Sequence, residues 1–148
     1  MGVFVLFIIR VHYKGWRHEG TNGTVESKML AAQYRFHGRR SMGLLFKQGR
    51  LVRGRSMGLK YVANPARQES RVAVVVGRKV TKIAPRRNRI RRRIFETVRV
   101  HWPELQAGYD LAFIVYDANL ATASAPEVEA QVLGLLQKAG VIESLGTD

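Results

Sequence analysis

RVAVVVGRKVTKIAPRRNRIRRRIFETVR, residues 71–99, is the stretch whose reading decides the fold. Its first part, 71–77, is almost continuous valine, the pattern of a strand buried on both faces. Its second part, 78–99, carries ten Lys or Arg residues against one acid, Glu96, and so supplies nine of the chain's fourteen net positive charges. The run has helical order. Ile90, Ile94 and Val98 recur at i, i+4 and i+8, with Trp102 near the same edge, and form one apolar stripe. Asn88, Arg92 and Arg99 fall opposite that stripe, with Arg89 and Arg93 beside them. The spacing predicts an amphipathic helix, apolar inward and almost wholly guanidinium outward.

Like charges repel, and a run this dense costs stability unless a polyanion neutralises it. An ordinary charged face interleaves acids with bases; this one holds a single acid. Arginine predominates, and its planar fork binds a phosphate through two hydrogen bonds or stacks on a base. Pro85 suits the first helical turn, whose free N–H groups and dipole also favour an anion. The partner these features point to is nucleic acid.

Working outward, residues 57–62 alternate, with Met57, Leu59 and Tyr61 on one face and Gly58, Lys60 and Val62 on the other, which reads as a strand. Asn64-Pro65 breaks it before a polar loop, and the valine strand follows at hairpin distance. Upstream, residues 42–48 read as a short helix with Ser41 as N-cap and Gly49 just past its end. Downstream, His101-Trp102-Pro103 ends the basic helix, and residues 109–117 (YDLAFIVYD) are a further strand. Ser124 and Glu127 then make a capping box before an apolar stripe of Val128, Val132, Leu135 and Leu136, which Gly140 stops. The order is helix, two strands, helix, strand, helix: an α+β sandwich, one mixed sheet with helices packed on it.

A chain of 148 residues with ordinary apolar content makes one core, and one domain is the default. Without cysteine it has no disulfide framework, no thiolate metal site and no cysteine nucleophile, which fits a reducing cytoplasm. Charge is uneven. Residues 1–77 hold fourteen basic and three acidic residues, whereas 100–148 hold one basic and seven acidic, so the C-terminal third faces away from the polyanion.

The opening MGVFVLFII is too short for a membrane span, which needs about 20 residues, and it lacks the flanks of a signal peptide. Residues 1–28 read as an extension, disordered or a mis-called start, 29–142 as the domain and 143–148 as a tail. No constellation supports autonomous catalysis. The four histidines (His12, His18, His37, His101) show no obvious partners, and Asp110 and Asp117 stand at opposite ends of one strand.

At Arg87-Asn88-Arg89, with Ile90, Arg91 and Arg92 following and Val72-Ala73-Val74-Val75-Val76 leading into Arg78-Lys79 before it, the sequence resembles the bacterial ribonuclease P protein subunits. Phe46-Lys47-Gln48-Gly49 likewise resembles the aromatic-basic end of that family's first helix. Two residues depart from the pattern: Phe95 stands where the family often has another arginine, and Met42 replaces the first of two aromatics. The loop between the basic pair and the signature is also one residue longer than the commonest form.

The resemblance implies a two-layer α/β sandwich with a left-handed βαβ crossover, the arrangement shared with one domain of a small-subunit ribosomal protein. It also implies a holoenzyme in which the RNA subunit performs the Mg²⁺-dependent cleavage that matures the 5′ end of tRNA and holds most of the Mg²⁺. The protein is then an assisting subunit in the cytoplasm, away from membranes, with no protein partner required. Docking on the catalytic RNA falls to Arg78, Lys79, Lys82, Arg86, Arg87, Asn88, Arg89, Arg91 and Arg92. Contact with the single-stranded leader of precursor tRNA falls to Met42, Phe46 and Lys60. A ribosomal or other structural RNA-binding protein is the alternative. A major-groove DNA reader is disfavoured, because no dimerisation element supplies paired half-sites.

Overall fold

The computed structural model describes residues 30–35 and 39–142. The expectations for 1–28, for the tail and for His12, His18 and His37 lie outside the described residues. Among these residues three α-helices, α1 (Arg39–Gln48), α2 (Ala84–Val100) and α3 (Ala125–Ala139), accompany four strands, β1 (Arg50–Arg53), β2 (Met57–Ala63), β3 (Arg71–Val75) and β4 (Tyr109–Val115). The strands form one sheet in the order β1-β2-β4-β3.

β4 is the centre of that sheet, antiparallel to β2 and parallel to β3. The valine strand therefore does not pair with the strand before it, although the two are close in sequence. Loop 64–70 laps across the start of β4 instead: the Asn64 N–H donates to the Gly108 carbonyl (2.6 Å), and the Ser70 hydroxyl donates to the Gln106 carbonyl (2.6 Å) while accepting from the Tyr109 N–H (2.9 Å). These bonds satisfy backbone groups that a tight hairpin would have paired internally. The parallel β3–β4 pair makes α2 a crossover helix, as a parallel connection requires.

Two further boundaries differ from the sequence reading. Residues 50–53 form β1, antiparallel to β2; at four residues, with three of them exposed, the segment is too short for its alternation to stand out. Helix α1 begins at Arg39, so Ser41 lies inside it rather than capping it. Arginine is a strong helix former and extends the helix N-terminally.

The sheet has two unlike faces. On one, Met57, Leu59, Val72, Val74, Leu111, Phe113 and Val115 pack against Ile90, Ile94, Phe95 and Val98 of α2 and Val128, Val132, Leu135 and Leu136 of α3. This is the main core, and it recruits Leu30, Val141 and Ile142 at the ends of the described chain. On the other face, Ala73, Val75 and Ala112 meet Met42 and Leu45 of α1, with Phe46 and Val62 at the margin. Both faces of β3 are thus covered, as its valines require. Ser124 and Glu127 form the reciprocal capping box on α3, and Gly140, at φ +73°, ends it in the left-handed conformation that glycine adopts without strain.

Candidate nucleic-acid interface

Helix α2 presents the basic run. Its buried residues are Ile90, Ile94, Phe95 and Val98, so the inward stripe is one residue wider than the i, i+4 pattern. Phe95 is 1% exposed, which places position 95 in the core and not on a phosphate-binding surface. No acid occupies the first turn, so the positive dipole end of the helix adds to the cationic surface. Pro85 sits in that first turn as its sequence position implied.

The candidate docking residues divide into two groups. Arg78, Lys79, Lys82, Arg86, Arg89 and Arg92 are exposed, distributed over the loop before α2 and its outer face. Arg87, Asn88 and Arg91 are half-buried. Arg87 Nη1 donates to the Thr81 carbonyl at 2.9 Å, which folds the basic loop onto the helix, and Arg91 Nη2 donates to Asn88 Oδ1. The Arg-Asn-Arg signature therefore builds its own platform, one arginine anchoring the loop and the asparagine orienting another. Pro85, Asn88, Arg89, Arg92, Arg93 and Glu96 line an open groove of 460 Å³ along this face.

Arg93 lines one side of that groove but is half-buried, and its guanidinium is turned away from the outward face that the helical wheel suggested. Its Nη1 donates to the Leu120 carbonyl at 2.7 Å and its Nη2 to the Ala123 carbonyl, tying α2 to the turn after β4. The 3₁₀ turn Ala118–Ala121 and the residues just after it lie beside the helix and hold the side chain.

The second candidate surface lies on the α1 side of the sheet. Phe46 is half-buried at its edge, with Lys60 Nζ 5.3 Å from the ring centroid and donating to the Phe46 carbonyl. Met42 turns into the small cluster and is only 9% exposed, so it supports Phe46 more than it faces solvent. Position 42 is inward on a helix that packs on alanines, and a flexible thioether fills that space.

Acidic groups are engaged elsewhere. Asp110 forms a buried two-point ion pair with Arg71 (3.1 and 3.2 Å) and accepts from Asn64 Nδ2 (3.2 Å). Asp117 accepts from the Asn119 N–H. His101, for which the sequence suggested no partner, bridges Glu104 (3.2 Å) and Glu129 (2.8 Å). Burial works against its charge, but the hydrogen bonds to Glu129 and Glu104 and both carboxylate charges together raise its pKa above 6.5. Among the described residues no three of His, Cys, Asp or Glu converge as a metal site. No helix among those residues is long and apolar enough to cross a membrane.

A mixed four-stranded sheet carrying an arginine-rich helix defines an α+β protein with one strongly cationic face. A family model described as Ribonuclease P matches residues 30–140, and the chain belongs to that family. It is 42% identical over 123 residues to the ribonuclease P protein component of Synechococcus sp. (strain JA-2-3B'a(2-13)), covering 81% of this chain and 92% of that one. The corresponding protein of Symbiobacterium thermophilum is 34% identical over 113 residues, covering 76% and 96%. Among solved structures, the RNase P protein of Staphylococcus aureus superposes with a TM-score of 0.67 at 22% identity, over 74% of this chain and 98% of that one. That of Thermotoga maritima gives 0.63 at 26% identity, over 74% and 98%. Its role is accordingly that of a protein subunit of the ribonuclease P holoenzyme in tRNA processing.

Proposed function

We propose that this subunit docks on the catalytic RNA through the loop before α2 and the outer face of that helix, and grips the precursor tRNA leader on the α1 side of the sheet. The observation that carries the proposal is the exposure of six cations, Arg78, Lys79, Lys82, Arg86, Arg89 and Arg92, around a helix N-terminus with no acid in its first turn. Phosphates placed there release their counterions and gain fixed partners. Arg87 and the Asn88–Arg91 pair keep that surface in shape before RNA arrives, which lowers the ordering cost of binding.

On the opposite face, the Phe46 ring offers a stacking surface to an unpaired base, and the Lys60 ammonium beside it offers a phosphate partner. Cleavage chemistry, with its Mg²⁺, is assigned to the RNA partner. The protein's share is to position the substrate and screen phosphate repulsion, which reduces the metal-ion concentration the holoenzyme needs, in the cytoplasm where precursor tRNA is made. Multiple-turnover cleavage of precursor tRNA by the cognate RNA at low Mg²⁺, with and without this chain, tests the proposal: marked stimulation is expected, and no stimulation would refute it.

A further inference from the structure

Tyr116 is one of the few large hydrophobic side chains exposed among the described residues, at 45%. Its backbone N–H donates to the Ser56 carbonyl at 2.9 Å, which carries the β2–β4 ladder past the end of β4. The ring then folds back over Gly58. A Cβ at position 58 would collide with the Tyr116 hydroxyl and come within 3.2 Å of its ring Cζ, so glycine near the start of β2 is what lets the ring lie against the sheet. A scattered exposed aromatic on a protein surface needs no explanation. One laid on a glycine cradle, with its tip rather than its face against backbone, is held ready for a flat partner.

The surroundings say which partner. Gly58 shares its face of the sheet with Lys60 and Val62, so the ring lies on the same side as Phe46. Gly58 and Lys60 are two positions apart, about 7 Å along the strand. Arg53 pairs with Gly58 in the ladder and is exposed, as is Arg55 in the adjoining turn. Because β3 and β4 are parallel, with Val75 level with Ile114, the chain leaves β3 toward Arg78 and Lys79 at the end of the sheet where Tyr116 stands. An aromatic ring rimmed by cations, between the Phe46–Lys60 surface and the basic loop, suits a single-stranded polynucleotide.

We infer that Tyr116, seated on Gly58, stacks on an unpaired base of the precursor tRNA leader and extends the track from Phe46 toward α2; this rests on the leader surface proposed above.

The test uses the holoenzyme with precursor tRNAs carrying a fluorescent purine analogue at single leader positions. Quenching at one position, relieved by Tyr116→Ala and by Tyr116→Leu but kept by Tyr116→Phe, is the expected result, with affinity for leaders reaching that position falling about 5- to 100-fold. The Leu variant keeps bulk over Gly58, and equal melting temperatures separate a stacking role from a folding one. If Phe46→Ala changes its own leader position while no Tyr116 variant changes any, the inference about Tyr116 fails and the leader surface stands. If neither residue affects any leader position, the leader surface itself is refuted.

Discussion

Arg93 lies 2.7 Å, Nη1 to carbonyl oxygen, from Leu120, and this bond turns one guanidinium of the basic run toward protein instead of solvent. With Arg87 likewise committed to Thr81, the run divides into arginines that hold the fold and arginines that present charge. The division makes each substitution's effect specific.

Arg93→Ala removes two donors from carbonyls in the turn after β4 and is expected to lower stability by about 1–3 kcal/mol. RNA affinity, measured under conditions where the variant stays folded, should keep its salt dependence. A flattened salt slope would mean that Arg93 contacts phosphate.

Asp110→Ala leaves the Arg71 guanidinium buried without its carboxylate, since the two side chains are only 5–10% exposed. Breaking a buried pair from one side costs about 3–5 kcal/mol. Urea denaturation measures this, and a loss below about 1 kcal/mol would show that water or a neighbour replaces the carboxylate.

Phe95→Arg puts a charge among Ile94, Val98 and the main core. It is expected to destabilise the fold by at least the roughly 3–5 kcal/mol of Phe→Ala in a core and to add nothing to RNA binding. Unchanged stability with tighter binding would place position 95 on the RNA surface.

His101 gives a pH signature. Its folded pKa lies above the ordinary 6.5, so the stabilisation from its contacts with Glu129 and Glu104 is fully present below that value and fades as pH rises through the raised one. Melting temperature should therefore decline across the neutral range in the native chain. The decline should be smaller in His101→Gln, and an equal decline in both would assign it to other groups.

The sheet, the basic helix and the capped α3 were legible because each repeats a period over several residues. Ile90, Ile94 and Val98 mark α2's inward side, and continuous valine marks β3 as buried on both faces. What escaped was set by neighbours distant in sequence. Nothing local shows that β4 inserts between β2 and β3, because that order depends on loop 64–70 bonding to residues 106–109. The role of Arg93 depends on a turn 27 positions away. Tyr116 was recoverable: it continues the even-numbered face of Ala112 and Ile114, and Gly58 interrupts an otherwise bulky strand. Only their contact, however, gives that parity a meaning.

The central claim, that exposed arginines on α2 bind the catalytic RNA by its phosphates, is tested most directly by the salt dependence of RNA affinity in Arg89→Ala/Arg92→Ala. Each lost phosphate contact should reduce the slope of log affinity against log salt by about 0.7–0.9, with melting temperature unchanged because both side chains are exposed. A slope equal to that of the native chain would contradict the account, since it would leave these arginines in solvent when the RNA is bound.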